Sequence, residues 1–125
     1  MKLQVLTPDF SVCKLEHSAG VRVDIPFTCL FQTDDECSLV CKTEFVPQNT
    51  IAREDGWRML RIQGTLDFSL IGILARLTDV LQNAGVSVFA LSTYQTDYLL
   101  IKQAALPAAL HALVSAGYEI TEEAA

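Results

Sequence analysis

The stretch DFSLIGILARLTDVLQNAGVSVFALSTYQTDYLLIK, residues 67–102, decides the fold of this chain. Its first half repeats apolar residues at steps of three and four positions: Leu70, Ile73, Leu74, Leu77, Leu81 and Ala84. This spacing predicts an amphipathic helix over residues 69–84. Asp67 or Ser69 can cap its start, and Gly85 stands where a C-terminal cap belongs. One apolar stripe must be buried, so the helix needs a sheet or a second helix beside it.

Strand-like segments surround this helix. Apolar and β-branched residues predict strands over 57–64, 86–91, 98–101 and 118–120. A second helix starts at Pro107 and runs to Gly117. The order βαββαβ is that of a ferredoxin-like unit, an α+β fold with two helices on one face of an antiparallel sheet.

The first half of the chain contains a partial copy of this unit. Phe31-Gln-Thr-Asp34 recurs as Tyr94-Gln-Thr-Asp97, and after a three-residue insertion SLVCK at 38–42 matches YLLIK at 98–102. A period of about 60 residues predicts two copies of one supersecondary unit. We therefore expect a tandem of ferredoxin-like units, with domains at 1–56 and 57–125.

The first copy is expected to be reduced. Residues 16–26 are too short and too interrupted by Gly and Pro to form its first helix. A single strand, 57–64, is available between the two copies. It must end the first or begin the second, unless Lys2–Leu6 supplies the missing partner.

Composition limits the classes of partner. Half of the 125 residues are hydrophobic and 19% are charged, which is typical of a globular protein. The formal charge of −6 and the scattered basic residues argue against nucleic acid and against an anionic membrane surface. No apolar run resembles a signal peptide or a membrane span, so we expect a cytoplasmic protein.

The four cysteines fit a reduced, structural role. Cys37 and Cys41 share one face of a predicted strand but lie about 13 Å apart at the usual rise, too far for a disulfide or a common metal ion. The chain has no CxxC motif. We interpret the cysteines as small buried hydrophobic residues and expect no metal site.

An enzymatic reading finds no support in the residue inventory. His17 and His111 are the only histidines, and neither has a motif-spaced nucleophile or carboxylate. Phosphate-cradling, dinucleotide and zinc-hydrolase motifs are absent from the sequence. We expect a protein that is not an enzyme and needs no cofactor.

Two features suggest a ligand site instead. Gly72 falls in the first turn of the predicted helix, where glycine costs about 1 kcal/mol relative to alanine. Its absent side chain either allows close packing against a strand or leaves room for an anion at the helix N-terminus. The turn at 92–97 offers hydroxyls, an aromatic ring and one carboxylate, from Thr93, Tyr94, Thr96 and Asp97. Together they suit an amino acid, although such residues are also ordinary turn formers.

The stretch at 67–102 resembles the ACT domain family, specifically the small tandem-ACT proteins of bacteria that are related to the cytosolic arginine sensors of animals. The resemblance covers residues 57–120 through the Gly-Ile-Leu helix start, the AGVSV junction and STYQTD. It implies ferredoxin-like units that associate side by side and bind small effectors at their interfaces. This chain departs from the family pattern in having Ile71, where the family has a proline before the glycine, and a longer loop.

The resemblance implies a set of ligand-binding residues: Asp67, Ser69, Leu70, Ile71, Gly72, Thr93, Tyr94 and Asp97. We expect a regulatory or sensory module that binds an amino acid or similar metabolite and forms a homodimer through strand 57–64 or 86–91. Asp97 beside Tyr94 suggests a basic amino acid. The alternative is a ligand-free module for dimerisation or protein interaction.

Overall fold

The computed structural model describes residues 1–63 and 72–124, which contain two α-helices and eight strands. The strands are β1 Lys2–Leu6, β2 Phe10–Leu15, β3 Cys29–Gln32, β4 Cys37–Lys42, β5 Thr50–Ile62, β6 Phe89–Ser92, β7 Asp97–Lys102 and β8 Glu119–Glu123, and the helices are α1 Ile73–Asn83 and α2 Leu106–Ser115. The chain divides into two compact units. We call Met1–Thr7 with Arg58–Ala124 the helical unit, and Pro8–Trp57 the strand unit.

The helical unit has the predicted βαββαβ order from β5 to β8. Its strands lie in the order β6–β7–β5–β1–β8. Both helices pack on one core with residues from β1, β5 and β7: Leu3, Val5, Leu60, Ile62, Leu77, Leu81, Val86, Leu99, Ile101, Ala109 and Leu113. Of the predicted apolar stripe, Leu77 and Leu81 are buried, and Ile73 and Leu74 pack against the core. Ala84 is exposed, and Leu70 lies outside the described residues.

Strand β1 adds a fifth member to this sheet. It pairs antiparallel with β5 and parallel with β8, so it lies between the first and last strands of the βαββαβ order. The compact units accordingly place residues 1–7 with the helical unit, whereas the predicted domain range 1–56 grouped them with the first copy. Backbone pairing over a distance in sequence decides this placement, and a local pattern does not report it.

Strand β5 is longer than predicted, and its residues up to Trp57 belong to the strand unit while those from Arg58 belong to the helical unit. It begins at Thr50 rather than at residue 57. The first part of β5 pairs with β2, and its last part pairs with β1. Strand β7 is also a neighbour of β5 in the sheet. The prediction that strand 57–64 is an edge for dimerisation is therefore wrong, because neighbours on both sides occupy its backbone groups.

Both helices end in the same way. The amide of Val86 donates to the carbonyl of Leu81 at 2.9 Å, and that of Tyr118 donates to Leu113 at 3.0 Å. The glycine before each of these amides has a positive φ, +74° at Gly85 and +97° at Gly117. These are Schellman-type caps, and they confirm the predicted role of Gly85.

The strand unit has the order β3–β4–β2–β5 and contains no α-helix, as the interrupted segment 16–26 indicates. One face of its sheet carries a small core of Cys13, Leu15, Cys37, Leu39 and Cys41. All four cysteines are free, and three of them are buried. Burial raises the pKa of the Cys41 thiol to about 11, with a smaller contribution from Cys13. The three buried thiols are packing residues, as predicted, whereas Cys29 is half-buried.

The internal repeat is visible in the two hairpins. In β3–β4, Gln32 pairs with Cys37, and in β6–β7, Ser92 pairs with Asp97. Every residue pair in the second hairpin therefore matches a pair in the first hairpin whose residue numbers are 60 lower. For example, the pair 92 and 97 matches the pair 32 and 37. The hairpins correspond without any inserted residues.

The register of this repeat differs from the one predicted from Gln-Thr-Asp. The amide of Thr33 donates to the carbonyl of Glu36 at 2.8 Å, and the amide of Thr93 donates to that of Thr96 at 2.9 Å. Thr33 therefore corresponds to Thr93 and not to Thr96, and the expected three-residue insertion is wrong. Strand pairing fixes the register, so the shared triplet is a coincidence of composition in two polar turns.

A polar cluster around the buried Ser11 joins three segments of the strand unit. Ser11 is fully buried, and its hydroxyl donates to Asp55 at 2.5 Å and lies 2.9 Å from the hydroxyl of Thr43. Arg53 donates to the same carboxylate oxygen at 3.0 Å. A buried hydroxyl requires such partners, so Ser11 ties β2 to β5 and to the segment after β4.

Candidate functional site

The turn between β6 and β7 is built around Thr93. Its hydroxyl donates to the carbonyl of Thr96 at 3.0 Å, and the amide of Thr96 lies 3.4 Å from the same hydroxyl oxygen. These bonds form a side-chain turn of the kind that Ser and Thr favour. The Thr93 hydroxyl therefore already donates its hydrogen within the turn. We expect this side chain to bind a ligand more weakly than its sequence position suggests.

Thr96 anchors the turn to strand β5. Its side chain is buried, with 6% exposure, and its hydroxyl donates to the carbonyl of Ile62 at 2.8 Å. Ile62 ends β5, just before the chain enters residues 64–71. The turn is therefore held against the end of this strand. The sequence suggested the Thr96 hydroxyl as a possible ligand contact. In the structure this hydroxyl instead forms the hydrogen bond that holds the turn against Ile62.

Tyr94 and Asp97 present the chemistry of the turn. Tyr94 lies at its tip with 83% of its surface exposed. Asp97 begins β7, is half-buried, and pairs across the hairpin with Ser92. An aromatic ring and a carboxylate three residues apart can receive a cationic group by stacking and by charge-assisted hydrogen bonds.

Gly72 precedes helix α1 as its N-cap instead of lying in its first turn. Its φ is +82°, in the left-handed region, and the amide of Arg76 donates to its carbonyl at 2.9 Å. A Cβ added to Gly72 would meet nothing within 4 Å among the described residues. The close-packing explanation is therefore wrong for the part of the chain that the structure describes, because glycine is required here by the backbone angle.

The first turn of α1 has backbone donors that the helix itself does not use. The helix begins at Ile73, not at residue 69, and Gly72 supplies no side-chain cap. The amides of the first turn of any α-helix have no partner within the helix, and they carry its partial positive charge. The first turn of α1 contains no acidic side chain to offset that charge.

Half of the predicted ligand residues can be placed. Thr93, Tyr94 and Asp97 share one hairpin, and Gly72 opens α1. The other four, Asp67, Ser69, Leu70 and Ile71, lie outside the described residues. Of the two histidines, His17 is an exposed loop residue that hydrogen-bonds with Asn49, and His111 is exposed on α2.

Two further kinds of site were sought in residues 1–63 and 72–124. No group of three or more His, Cys, Asp or Glu residues there could hold a metal ion. No helix in the same ranges is both long and apolar enough to cross a membrane.

The chain matches a family model and several solved structures. Residues 52–115 match the model of the ACT domain. Protein Atu0741 from Agobacterium tumefaciens has 28% identity and a TM-score of 0.84, over 98% of this chain and 92% of that one. Protein VC0802 from Vibrio cholerae, described as a possible transport protein, has 17% identity and a TM-score of 0.70, over 91% and 88% of the two chains. No curated protein has significant sequence similarity to the chain.

Aspartate kinases share the fold at lower identity. The regulatory subunit of the Thermus thermophilus enzyme has 9% identity and a TM-score of 0.62, with 92% of this chain and 96% of that one covered. The Clostridium acetobutylicum enzyme, described as allosteric, has 14% identity and a TM-score of 0.63, and 87% of this chain covers 33% of it.

Proposed function

The chain belongs to the ACT domain family, and from this premise we propose that it is a non-enzymatic regulatory or sensory module that binds an amino acid or a similar small metabolite. The observation that carries the proposal is the anchored turn in the helical unit. Thr96 holds it against Ile62, where β5 leads towards α1. The resemblance in fold to a regulatory subunit of aspartate kinase supports a regulatory role.

One end of the proposed site binds the anionic group of the ligand, and the other end binds its cationic group. The first-turn amides of α1, which follow the segment Asp67–Gly72 in the chain, receive the α-carboxylate of the ligand. Tyr94 and Asp97 receive its ammonium group or a basic side chain. We include Ser69, Leu70 and Ile71 as the segment that contacts the ligand backbone, and Thr93 as the residue that shapes the turn.

A thermal-shift screen with the twenty amino acids tests the proposal. A ligand that binds only the folded chain raises the melting temperature, and the rise grows with the logarithm of its concentration relative to its Kd. We expect at least one amino acid to do so, and basic amino acids to give the largest shifts. A flat response to all twenty would remove the ligand-binding proposal and leave the interaction module described below.

The preference for a basic ligand is tested by charge removal. Asp97→Asn is expected to weaken the binding of arginine or lysine by about 1.5–3 kcal/mol in calorimetry, the range for a hydrogen bond to a charged group. Asp34→Asn is the matched control, because it removes the same charge from the turn of the β3–β4 hairpin. Equal losses for basic and neutral ligands would assign Asp97 to the α-ammonium group.

A second candidate function is a ligand-free dimerisation or docking module. Within the described residues β6 pairs with β7 alone, so its outer edge carries backbone groups that can bind another strand. The predicted edge strand 86–91 overlaps β6. We propose a two-fold homodimer through β6, which gives twice the chain mass of 13.8 kDa in light scattering at high micromolar concentration. A monomer under these conditions contradicts the pairing.

A further inference from the structure

Strand β3 leaves one edge of the strand unit open. Among the described residues β3 pairs with β4 alone, and it stands last in the order β3–β4–β2–β5. Such an edge presents backbone amides and carbonyls that another strand can bind. The amino-acid site makes no use of this edge, and the β6 edge belongs to the helical unit.

The register of the β3–β4 hairpin shows which backbone groups of β3 face outwards. The amide of Thr33 donates to the carbonyl of Glu36, so these two residues form a hydrogen-bonded pair. Hydrogen-bonded and non-hydrogen-bonded pairs alternate along an antiparallel ladder. Leu30 and Gln32 therefore occupy non-hydrogen-bonded positions against β4. The amides and carbonyls of these two residues point away from β4 and towards the open edge.

Phe31 lies between the two outward-facing residues, and 64% of its surface is exposed. A second β3 strand, antiparallel and related by a two-fold axis at Phe31, would place each Leu30 opposite the partner's Gln32. Both residues of that pair face outwards, so the pair is hydrogen-bonded. The two Phe31 rings then meet at a non-hydrogen-bonded position, where side chains of two strands come closest. The edge is therefore complementary to itself.

The charges at the two ends of β3 also match a second copy. Strand β3 has no charged residue, so pairing it with itself brings no like charges together. The turn that follows β3 carries Asp34 and Asp35, which form no ion pair within residues 1–63 and 72–124. At the other end of β3, Lys42 lies over the ring of Phe27, 5.8 Å from its centre. The two-fold axis brings the acidic turn of each copy to the lysine end of the other.

We propose that β3 is an interaction surface for a second copy of this chain, which binds by antiparallel two-fold pairing centred on Phe31. The paired strands are only four residues long, so the dimer is reversible and forms as the concentration rises. This pairing depends neither on amino-acid binding nor on the β6 edge.

Proline substitution tests which edge pairs. Gln32→Pro removes an outward amide and no hydrogen bond within the chain, and proline is tolerated on an edge strand at such a position. In light scattering at high micromolar concentration we expect twice the chain mass of 13.8 kDa for the wild type and 13.8 kDa for this variant. Ser92→Pro is the matched control, because Ser92 holds the equivalent position in β6 and its loss should leave the dimer intact. Unchanged circular dichroism verifies that both variants fold.

The other outcomes overturn the proposal. A dimer that is lost only with Ser92→Pro would assign the interface to β6. Monomers with both variants would show that β3 of one copy pairs with β6 of the other. A wild-type chain that stays monomeric would exclude pairing at β3 under these conditions. None of these results affects the thermal-shift screen for amino acids, so the two proposals can fail separately.

Cross-linking tests the register. The Cα atoms of a non-hydrogen-bonded pair lie about 4.5 Å apart, which is within the range of a disulfide. With Cys29→Ala to remove the half-buried thiol of β3, Phe31→Cys is expected to form a covalent dimer on mild oxidation. Gln32→Cys in the same background is the control, because the partner's Gln32 stands two residues further along the strand. A covalent dimer from Gln32→Cys but not from Phe31→Cys would overturn the pairing centred on Phe31.

Discussion

The substitution Gly72→Ala tests whether Gly72 lies inside helix α1 or precedes it as the N-cap. The two cases predict changes of opposite sign in the free energy of unfolding. Inside a helix, Gly→Ala stabilises by about 1 kcal/mol. Gly72 is instead the N-cap of α1, with φ +82°. A residue with a Cβ loses about 1–2 kcal/mol of stability at left-handed backbone angles. The alanine variant also has a lower conformational entropy in its unfolded state, which offsets about 0.4–1 kcal/mol of that loss. Gly72→Ala is therefore expected to destabilise by about 1 kcal/mol.

No steric clash complicates this value. The added Cβ meets nothing within 4 Å among the described residues, so the cost is that of the backbone angle. Urea unfolding at equilibrium measures the change, provided that the m-value is unchanged. Gly72→Asn, which tolerates left-handed angles, should lose less than alanine. A gain in stability with alanine would refute the reasoning and return Gly72 to the helix.

Three further outcomes follow from buried groups. Thr96→Val removes the 2.8 Å bond to the Ile62 carbonyl and should cost about 1–3 kcal/mol in urea unfolding, whereas Thr78→Val, at an exposed position of α1, should change stability little. Ser11→Ala leaves Asp55 and Thr43 without their shared partner and should cost a similar amount; a neutral result would show that water replaces the hydroxyl. Burial raises the pKa of Cys41 from 9.0 to about 11, so the folded state holds this proton more tightly than the unfolded state. The corresponding stability is present below about pH 9 and is lost as the pH rises towards 11. Cys41→Ala should reduce this loss, with Cys29→Ala as the control, and an unchanged pH profile would contradict the burial effect.

Local patterns in the sequence predicted most of the elements. The three- and four-residue apolar spacing located α1, and the predicted strands 86–91 and 98–101 overlap β6 and β7 because apolar runs and turn residues mark them locally. The cap at Gly85 was predictable for the same reason, since left-handed glycine after an apolar helix is a local signal. The resemblance at residues 67–102 pointed to the ACT domain family.

Pairing between distant segments could not be predicted in this way. The insertion of β1 between β5 and β8 depends on backbone bonds between residues more than 50 positions apart. The true register of the repeat also appeared only in strand pairing, because a shared polar triplet has no core contact to hold it in place. The same applies to Ser11, whose partners lie in other segments.

The candidate site shows the same division. Residue types alone suggested Tyr94 and Asp97 as candidate cation-binding residues on a turn, and marked Gly72 as an unusual glycine. The tertiary structure decided that Thr93 and Thr96 use their hydroxyls to hold the turn, and that Gly72 serves a backbone angle. A sequence determines which groups a segment carries. Only the fold decides which of those groups are already bonded and which can still bind a ligand, because bonding depends on neighbours brought together by packing.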